Sequence, residues 1–253
     1  MSRIRAQLQG IRSAVSYFTR VPVKGPVDES GLRGALRYFP LVGAGVGAVG
    51  AGAWALARLA LPGDLAVLIG MAATVLITGA LHEDGFADVC DGFGGGFDKE
   101  QVLAIMKDSR VGAFGAVGLI LLLATKALAL IHLADPLMLA ALVCAHASSR
   151  WTAATLVAAL PYARQGEDSK AKTFVSAMGP VDFAVSTTLG LAPTLLLLPM
   201  RCWFALAAPV LARLAMGSWF MRRIGGYTGD CIGATQQAGE VAFYLVLTGL
   251  TCR

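Results

Sequence analysis

A series of apolar runs, most of them close to the length that crosses a bilayer, constrains this chain more than any other feature. They fall at 39–61, 65–81, 112–133, 136–160, 181–200 and 202–220, with a shorter run at 241–252. A helix needs about 20 apolar residues to span hydrocarbon, and only helices or closed barrels satisfy their own backbone groups there. Breakers separate the runs: Pro62-Gly63-Asp64, Asp135-Pro136, Gly179-Pro180 and Gly225-Gly226. The pattern predicts an all-α, polytopic integral membrane bundle of about six to seven transmembrane helices, forming one domain over residues 1–253. The run at 65–81 is short and is expected to extend into the polar segment after it. The run at 241–252 is expected to begin earlier, near Gly233, or to pack without crossing. Composition agrees, with 15% charged residues against about 25% in a soluble domain.

In a soluble chain the net charge of +5 would raise the question of nucleic acid. Here the basic residues follow the loops. With the N-terminus in the cytoplasm, that side holds Arg3, Arg5, Arg12, Arg20, Lys24, Arg33, Arg37, Lys99, Lys107, Arg110, Arg164, Lys170, Lys172, Arg222 and Arg223, and the other side Arg58, Arg201 and Arg253. This asymmetry is the positive-inside pattern. It predicts a multi-pass protein of the bacterial inner membrane with no nucleic-acid partner, and it puts segments 82–112, 161–172 and 225–240 on the cytoplasmic face. Residues 1–34 carry arginines and no apolar core, so no secretory signal is expected. Ile4, Leu8, Ile11, Val15 and Phe18 recur at helical spacing, which predicts an amphipathic helix on the inner surface or against the bundle. The five cysteines show no CxxC or zinc-type spacing and are expected to be filler.

Chemistry concentrates in His82-Glu83-Asp84-Gly85-Phe86-Ala87-Asp88-Val89-Cys90-Asp91-Gly92. Acid groups beside hydrocarbon are costly and usually mark function. Asp84, Asp88 and Asp91 are spaced i, i+4, i+7, which puts them on one helix face. Together with Glu83 they are candidate ligands for Mg²⁺, with Mn²⁺ as the second choice, completed by a substrate phosphate. The helix is expected to end at Gly92 and the glycines after it, where Gly94 and Gly95 would let backbone approach a phosphate. Asp98 is placed to cap a short helix leading to Lys107, Asp108 and Arg110, candidates for phosphate contact and for a further ligand or base. Gly225 to Ala234 is expected to be a ligand-binding loop carrying Thr228 and Asp230, and Arg164 is a candidate substrate contact. Lys126 and His146 are expected to face an internal cavity, and Arg150 and Arg213 to snorkel.

Taken together, these residues resemble the cobalamin synthase (adenosylcobinamide-GDP ribazoletransferase) family over nearly the whole chain. The resemblance rests on Phe18-Thr19-Arg20-Val21-Pro22-Val23, Arg37-Tyr38-Phe39-Pro40, His82 to Gly92, Ile105 to Gly112, Ser149-Arg150-Trp151, Ala163-Arg164 with Gly166, and Gly225 to Asp230 with Gly233-Ala234. Glu83 stands where the family commonly carries leucine, which favours Asp84, Asp88 and Asp91 as ligands. The resemblance implies Mg²⁺-dependent joining of adenosylcobinamide-GDP to α-ribazole or its 5′-phosphate, with release of GMP. It implies Asp108 or Asp230 as base or further ligand, and Lys107, Arg110, Arg164, Gly94, Gly95 and Thr228 as substrate contacts. The lipid bilayer, a second copy of the chain and other cobalamin-assembly enzymes are the expected partners. A CDP-alcohol phosphotransferase is the runner-up, since Asp88-Val89-Cys90-Asp91-Gly92 echoes its Asp-x-x-Asp-Gly opening. The Ala-Arg pair expected after that glycine is absent. A cation transporter using the acidic cluster is the other alternative.

Overall fold

A computed structural model describes residues 3–23, 34–164 and 178–251. Lys24, Arg33, Gly166, Lys170, Lys172 and the rest of loop 165–177, with Cys252 and Arg253, lie outside the described residues. The elements are α1 (Arg3–Phe18), α2 (Phe39–Ala57, entered through a 3-10 turn at Leu36–Tyr38), α3 (Gly63–Thr78), α4 (Leu81–Gly95) and α5 (Lys99–Ile105). They continue with α6 (Ala113–Ile131), α7 (Asp135–Ala159), α8 (Pro180–Leu197), a 3-10 segment (Met200–Leu206), α9 (Ala207–Ile224) and α10 (Gly229–Thr251). Among the described residues the β pairing is one isolated bridge between Tyr162 and Tyr227, so the helical membrane bundle expected from the apolar runs is what forms.

By length and composition, four described stretches suffice to cross a bilayer: Leu36–Ala57, Ala113–Ile131, Pro180–Leu197 and Met200–Ile224, and the bent pair α3–α4 makes up to five. The expectation was six to seven. The shortfall has a physical cause. Helices α7 (25 residues) and α10 (23 residues) have the length, but they carry the bundle's buried polar side chains. Those groups lower their apolarity while being paired inside the protein. The weak run at 241–252 belongs to α10, which starts at Gly229, close to the early start near Gly233 that the sequence offered.

Helix α2 sits against α7 at glycines. A Cβ at Gly43 or Gly47 would run into the backbone carbonyls of His146 and Leu142, respectively. Small residues let membrane helices approach to backbone contact, where dispersion replaces the hydrophobic drive that lipid cannot supply. Around the resulting core, Phe18 of α1 stacks on Phe39 of α2 at a ring distance of 4.0 Å. The amphipathic helix therefore packs on the bundle.

Two boundaries differ from expectation. The short second span does not run on into the acidic helix: the chain turns by 88° between α3 and α4. Gly79 (φ 66°) and Ala80 (φ 59°) are both left-handed. The N–H groups of Gly79 and Ala80 return to Leu76 O (3.2 Å) and Val75 O (3.0 Å), a Schellman stop that closes α3. This bend lays α4 across the N-terminal ends of α6 and α10. The stretch from Gly225 to Ala234 is a loop only as far as Thr228, because α10 begins at Gly229.

Candidate active site

The site is built where α4 crosses α10. A Cβ at Gly85 would lie 2.9 Å from Asp230 O, and one at Gly233 would lie 3.2 Å from His82 Cα. Only glycine lets the two backbones meet this closely. The crossing gathers carboxylates from two distant stretches of chain. Burial raises Asp88 to about 7, helped by the charges of Asp230 and Asp84 and opposed by Arg164. Burial also raises Asp230, with Arg164 pulling it down and Asp84 adding to the rise. Asp84, Asp88, Asp230 and Arg164 are therefore one electrostatic cluster.

Arg164 reaches it through backbone pairing. Ala163 N–H donates to Tyr227 O (2.9 Å) and Tyr227 N–H to Pro161 O (2.9 Å). A Cβ at Gly226 would collide with Pro161 O. The paired strands of loop bring Arg164 Nη2 to 3.0 Å from Asp230 Oδ2 and 3.3 Å from the Met106 carbonyl. Thr228 is fully buried and caps α10: Cys231 N–H donates to its Oγ1 at 3.4 Å, and that hydroxyl donates to Asp230 Oδ2 at 3.3 Å. It holds Asp230 and offers no exposed surface to a substrate.

The other sequence candidates lie at varying distance from this cluster. Asp91 is on the acidic helix, but its two oxygens accept from the N–H groups of Gly112 (2.7 Å) and Gly115 (2.8 Å). It caps α6 across space, an anion at a helix N-terminus. Asp108 and Arg110 pair with each other at 2.6 Å, and the hydrogen bonds from Arg110 hold Asp108 down at about 2. Together with Asp91 and Gly95 they line a groove of about 670 Å³. Lys107 is exposed beside it, after α5, whose cap is Asp98 accepting from Gln101 N–H at 2.9 Å. Gly94 and Gly95 form the last turn of α4, which ends at the glycines after Gly92 as expected. A Cβ at Gly94 would sit 2.6 Å from the Phe114 ring, so its smallness serves helix packing. Glu83 points away from the other acids, into the bundle, where it accepts from Gln237 Nε2 at 2.9 Å.

The interior itself differs from expectation. Lys126 and His146 are buried among partners: Lys126 pairs with Glu240 at 3.0 Å, and His146 Nδ1 lies 3.3 Å from Glu240 and 2.9 Å from Arg150 Nη1. Arg150 does not snorkel; it is buried and reaches the carbonyl of His146 at 3.2 Å. Paired groups are cheaper at this depth than a long reach to water. Arg213 spends Nη2 on Thr155 O at 3.1 Å.

Two residues that composition and motif did not single out belong to the site. Tyr17 of α1 and Tyr162 stand near Asp230; Tyr17 titrates above the ordinary phenol value through burial, then through these two neighbours. A cavity of about 140 Å³ lined by Tyr17, Phe18, Leu36, His82, Asp84 and Asp230 opens here. The helical phase of Tyr17 beside Phe18 was the available signal. The Tyr162–Tyr227 bridge left none, since it joins remote loops.

Carboxylate oxygens are the donor type that a hard divalent cation takes. Asp84, Asp88 and Asp230 act electrostatically on one another and on Arg164, and Asp88 is raised first by burial and then by the charges of Asp230 and Asp84. Among the described residues no group of three or more His, Cys, Asp or Glu side chains is placed to hold a metal ion. Mg²⁺ needs none, since it commonly takes one or two carboxylates and fills the rest with water and substrate phosphate.

Comparison with known proteins identifies the family. The family model described as cobalamin-5-phosphate synthase matches residues 10–248. A Ralstonia nicotianae protein named adenosylcobinamide-GDP ribazoletransferase is 44% identical, covering 99% of both chains. Proteins of the same name from Shewanella frigidimarina (42% identical, 92% of each chain) and Vibrio cholerae (40% identical, 96% of this chain and 95% of the relative) are also similar. No solved structure matches the chain. With the match running from α1 to the last turns of α10 and taking in every residue of the carboxylate cluster, the chain belongs to the cobalamin-5-phosphate synthase family.

Proposed function

We infer that this protein is an adenosylcobinamide-GDP ribazoletransferase, a membrane enzyme that joins adenosylcobinamide-GDP to α-ribazole or its 5′-phosphate and releases GMP. The observation that carries the mechanistic part is the convergence of Asp84, Asp88 and Asp230 with Arg164 at the α4–α10 crossing. Asp84 and Asp88 would hold Mg²⁺ or Mn²⁺ together with diphosphate oxygens. When bound, such a cation neutralises charge on the diphosphate and on the departing nucleotide. Asp230, raised by burial, takes the proton from the attacking hydroxyl. Arg164 orients Asp230 and meets phosphate charge, and Lys107 and Arg110 offer further phosphate contacts at the groove. Asp108 holds Arg110 in place. The cluster sits at the cytoplasmic face of the inner membrane, where its water-soluble substrates are, because the basic loops cluster on that side.

The test is GMP release from adenosylcobinamide-GDP and α-ribazole by the purified protein in liposomes, with Mg²⁺ and with EDTA. Turnover that needs the metal and disappears in well-folded Asp84→Asn, Asp88→Asn and Asp230→Asn is the expected result. Turnover that survives these changes sinks the assignment of roles.

A further inference from the structure

Beneath the site lies a buried polar chain that the reaction does not use. Gln237 Nε2 donates to Glu83 Oε1 at 2.9 Å, and Lys126 Nζ donates to Gln237 Oε1 at 2.8 Å. Lys126 also pairs with Glu240 Oε1 at 3.0 Å, and Glu240 Oε2 accepts from Gln236 Nε2 at 2.6 Å. Four helices contribute: Glu83 from α4, Lys126 from α6, His146 and Arg150 from α7, and Gln236, Gln237 and Glu240 from α10. All are buried. Glu83 and Glu240 are matched in formal charge by Lys126 and Arg150, which lowers the cost of burying them.

Glu83 precedes Asp84 in α4, and Gln237 is two turns along α10 from Asp230. The bond between them is thus a further fixed point, on the α10 side of α4 next to the Gly85–Asp230 crossing, while Asp91 holds the α6 side. A backbone crossing on the α10 side leaves that face of the helix free to tilt about it; a hydrogen bond beside it sets its roll and depth there. We propose that Glu83 is a positioning residue: through Gln237 it locks α4 in the rotation that turns Asp84 and Asp88 toward Asp230. This rests on the reading of that cluster as the site of cation and substrate binding.

The experiment uses the full chain in nanodiscs and has two readouts, Mn²⁺ affinity by electron paramagnetic resonance and kcat for GMP release. Glu83→Leu and Gln237→Leu each break the bond, and the second keeps the charge of Glu83 if the first fails to assemble. Each is expected to weaken Mn²⁺ and lower kcat by about 10-fold or more, the usual effect of removing a group that orients ligands. Glu83→Gln retains the accepting oxygen and is expected to stay within about twofold of the parent in both readouts, a conservative rescue. The double Glu83→Leu/Gln237→Leu variant is expected to be no worse than either single change. Parent-like kcat and Mn²⁺ affinity in Glu83→Leu, whatever its melting temperature, overturns the proposal. So does Glu83→Gln being as damaged as Glu83→Leu, since the charge and not the bond would then matter. If the parent turns over but binds no Mn²⁺, the metal reading fails and kcat alone decides the role of Glu83. If the parent binds Mn²⁺ without turnover, affinity decides.

Discussion

Gly85→Ala isolates what the α4–α10 crossing does for catalysis. The added Cβ would stand 2.9 Å from Asp230 O and 3.0 Å from Asp230 Cα. Carbon contacts are comfortable at about 3.5–4.0 Å, and both opposing atoms are backbone, which cannot rotate away. The helices must part by roughly 0.5–1 Å at this point. Overpacking costs about 1–3 kcal/mol. Alanine returns about 1 kcal/mol over glycine inside a helix. The net loss of stability is then about 0–2 kcal/mol, small enough for the variant to fold. The effect on rate is larger, because a displacement near 1 Å costs on the order of 10²-fold when reacting groups must be aligned. We expect kcat for GMP release to fall on the order of 10- to 100-fold with a melting temperature close to the parent. Gly45→Ala is the control: nothing lies within 4 Å of its Cβ, so activity is unchanged and stability rises slightly. Parent-like kcat in a folded Gly85→Ala protein would refute the claim that this glycine contact sets the spacing of the carboxylates.

Three further outcomes are expected. Asp88, at about 7 in the folded chain against an ordinary 3.8, favours the native state in its neutral form. The metal-free protein therefore loses stability as pH rises from about 4 to about 7, and thermal melts across that range should show a slope that Asp88→Asn flattens. Asp91→Ala removes both acceptors from the N–H groups of Gly112 and Gly115 and is expected to cost about 1–2 kcal/mol in denaturant or thermal unfolding, with Asp91→Asn costing less. Arg164→Gln takes away the charge that pulls Asp88 and Asp230 down. The acidic limb of the kcat/KM profile should move to higher pH, and Arg164→Lys should restore most of its position while leaving the Met106 contact weakened.

Much of the molecule was legible in the order of its residues. Apolar runs bounded by glycine and proline determined a helical membrane bundle, because hydrocarbon admits little else. The i, i+4, i+7 aspartates announced an acidic helix face, and Asp98 its short capped neighbour. Local pattern could not reveal how the helices cross. That Asp84 and Asp88 share one electrostatic cluster with Asp230, while Asp91 is spent capping α6, depends on an 88° turn at Gly79-Ala80 and on two glycines meeting from distant stretches. That Glu83 belongs to the interior, with Lys126 paired to Glu240 and Arg150 held by His146, depends on which neighbour each buried charge finds. Periodicity along one helix specifies a face but not what stands opposite it. The opposing surface comes from close packing between remote segments, and tertiary structure alone supplied it.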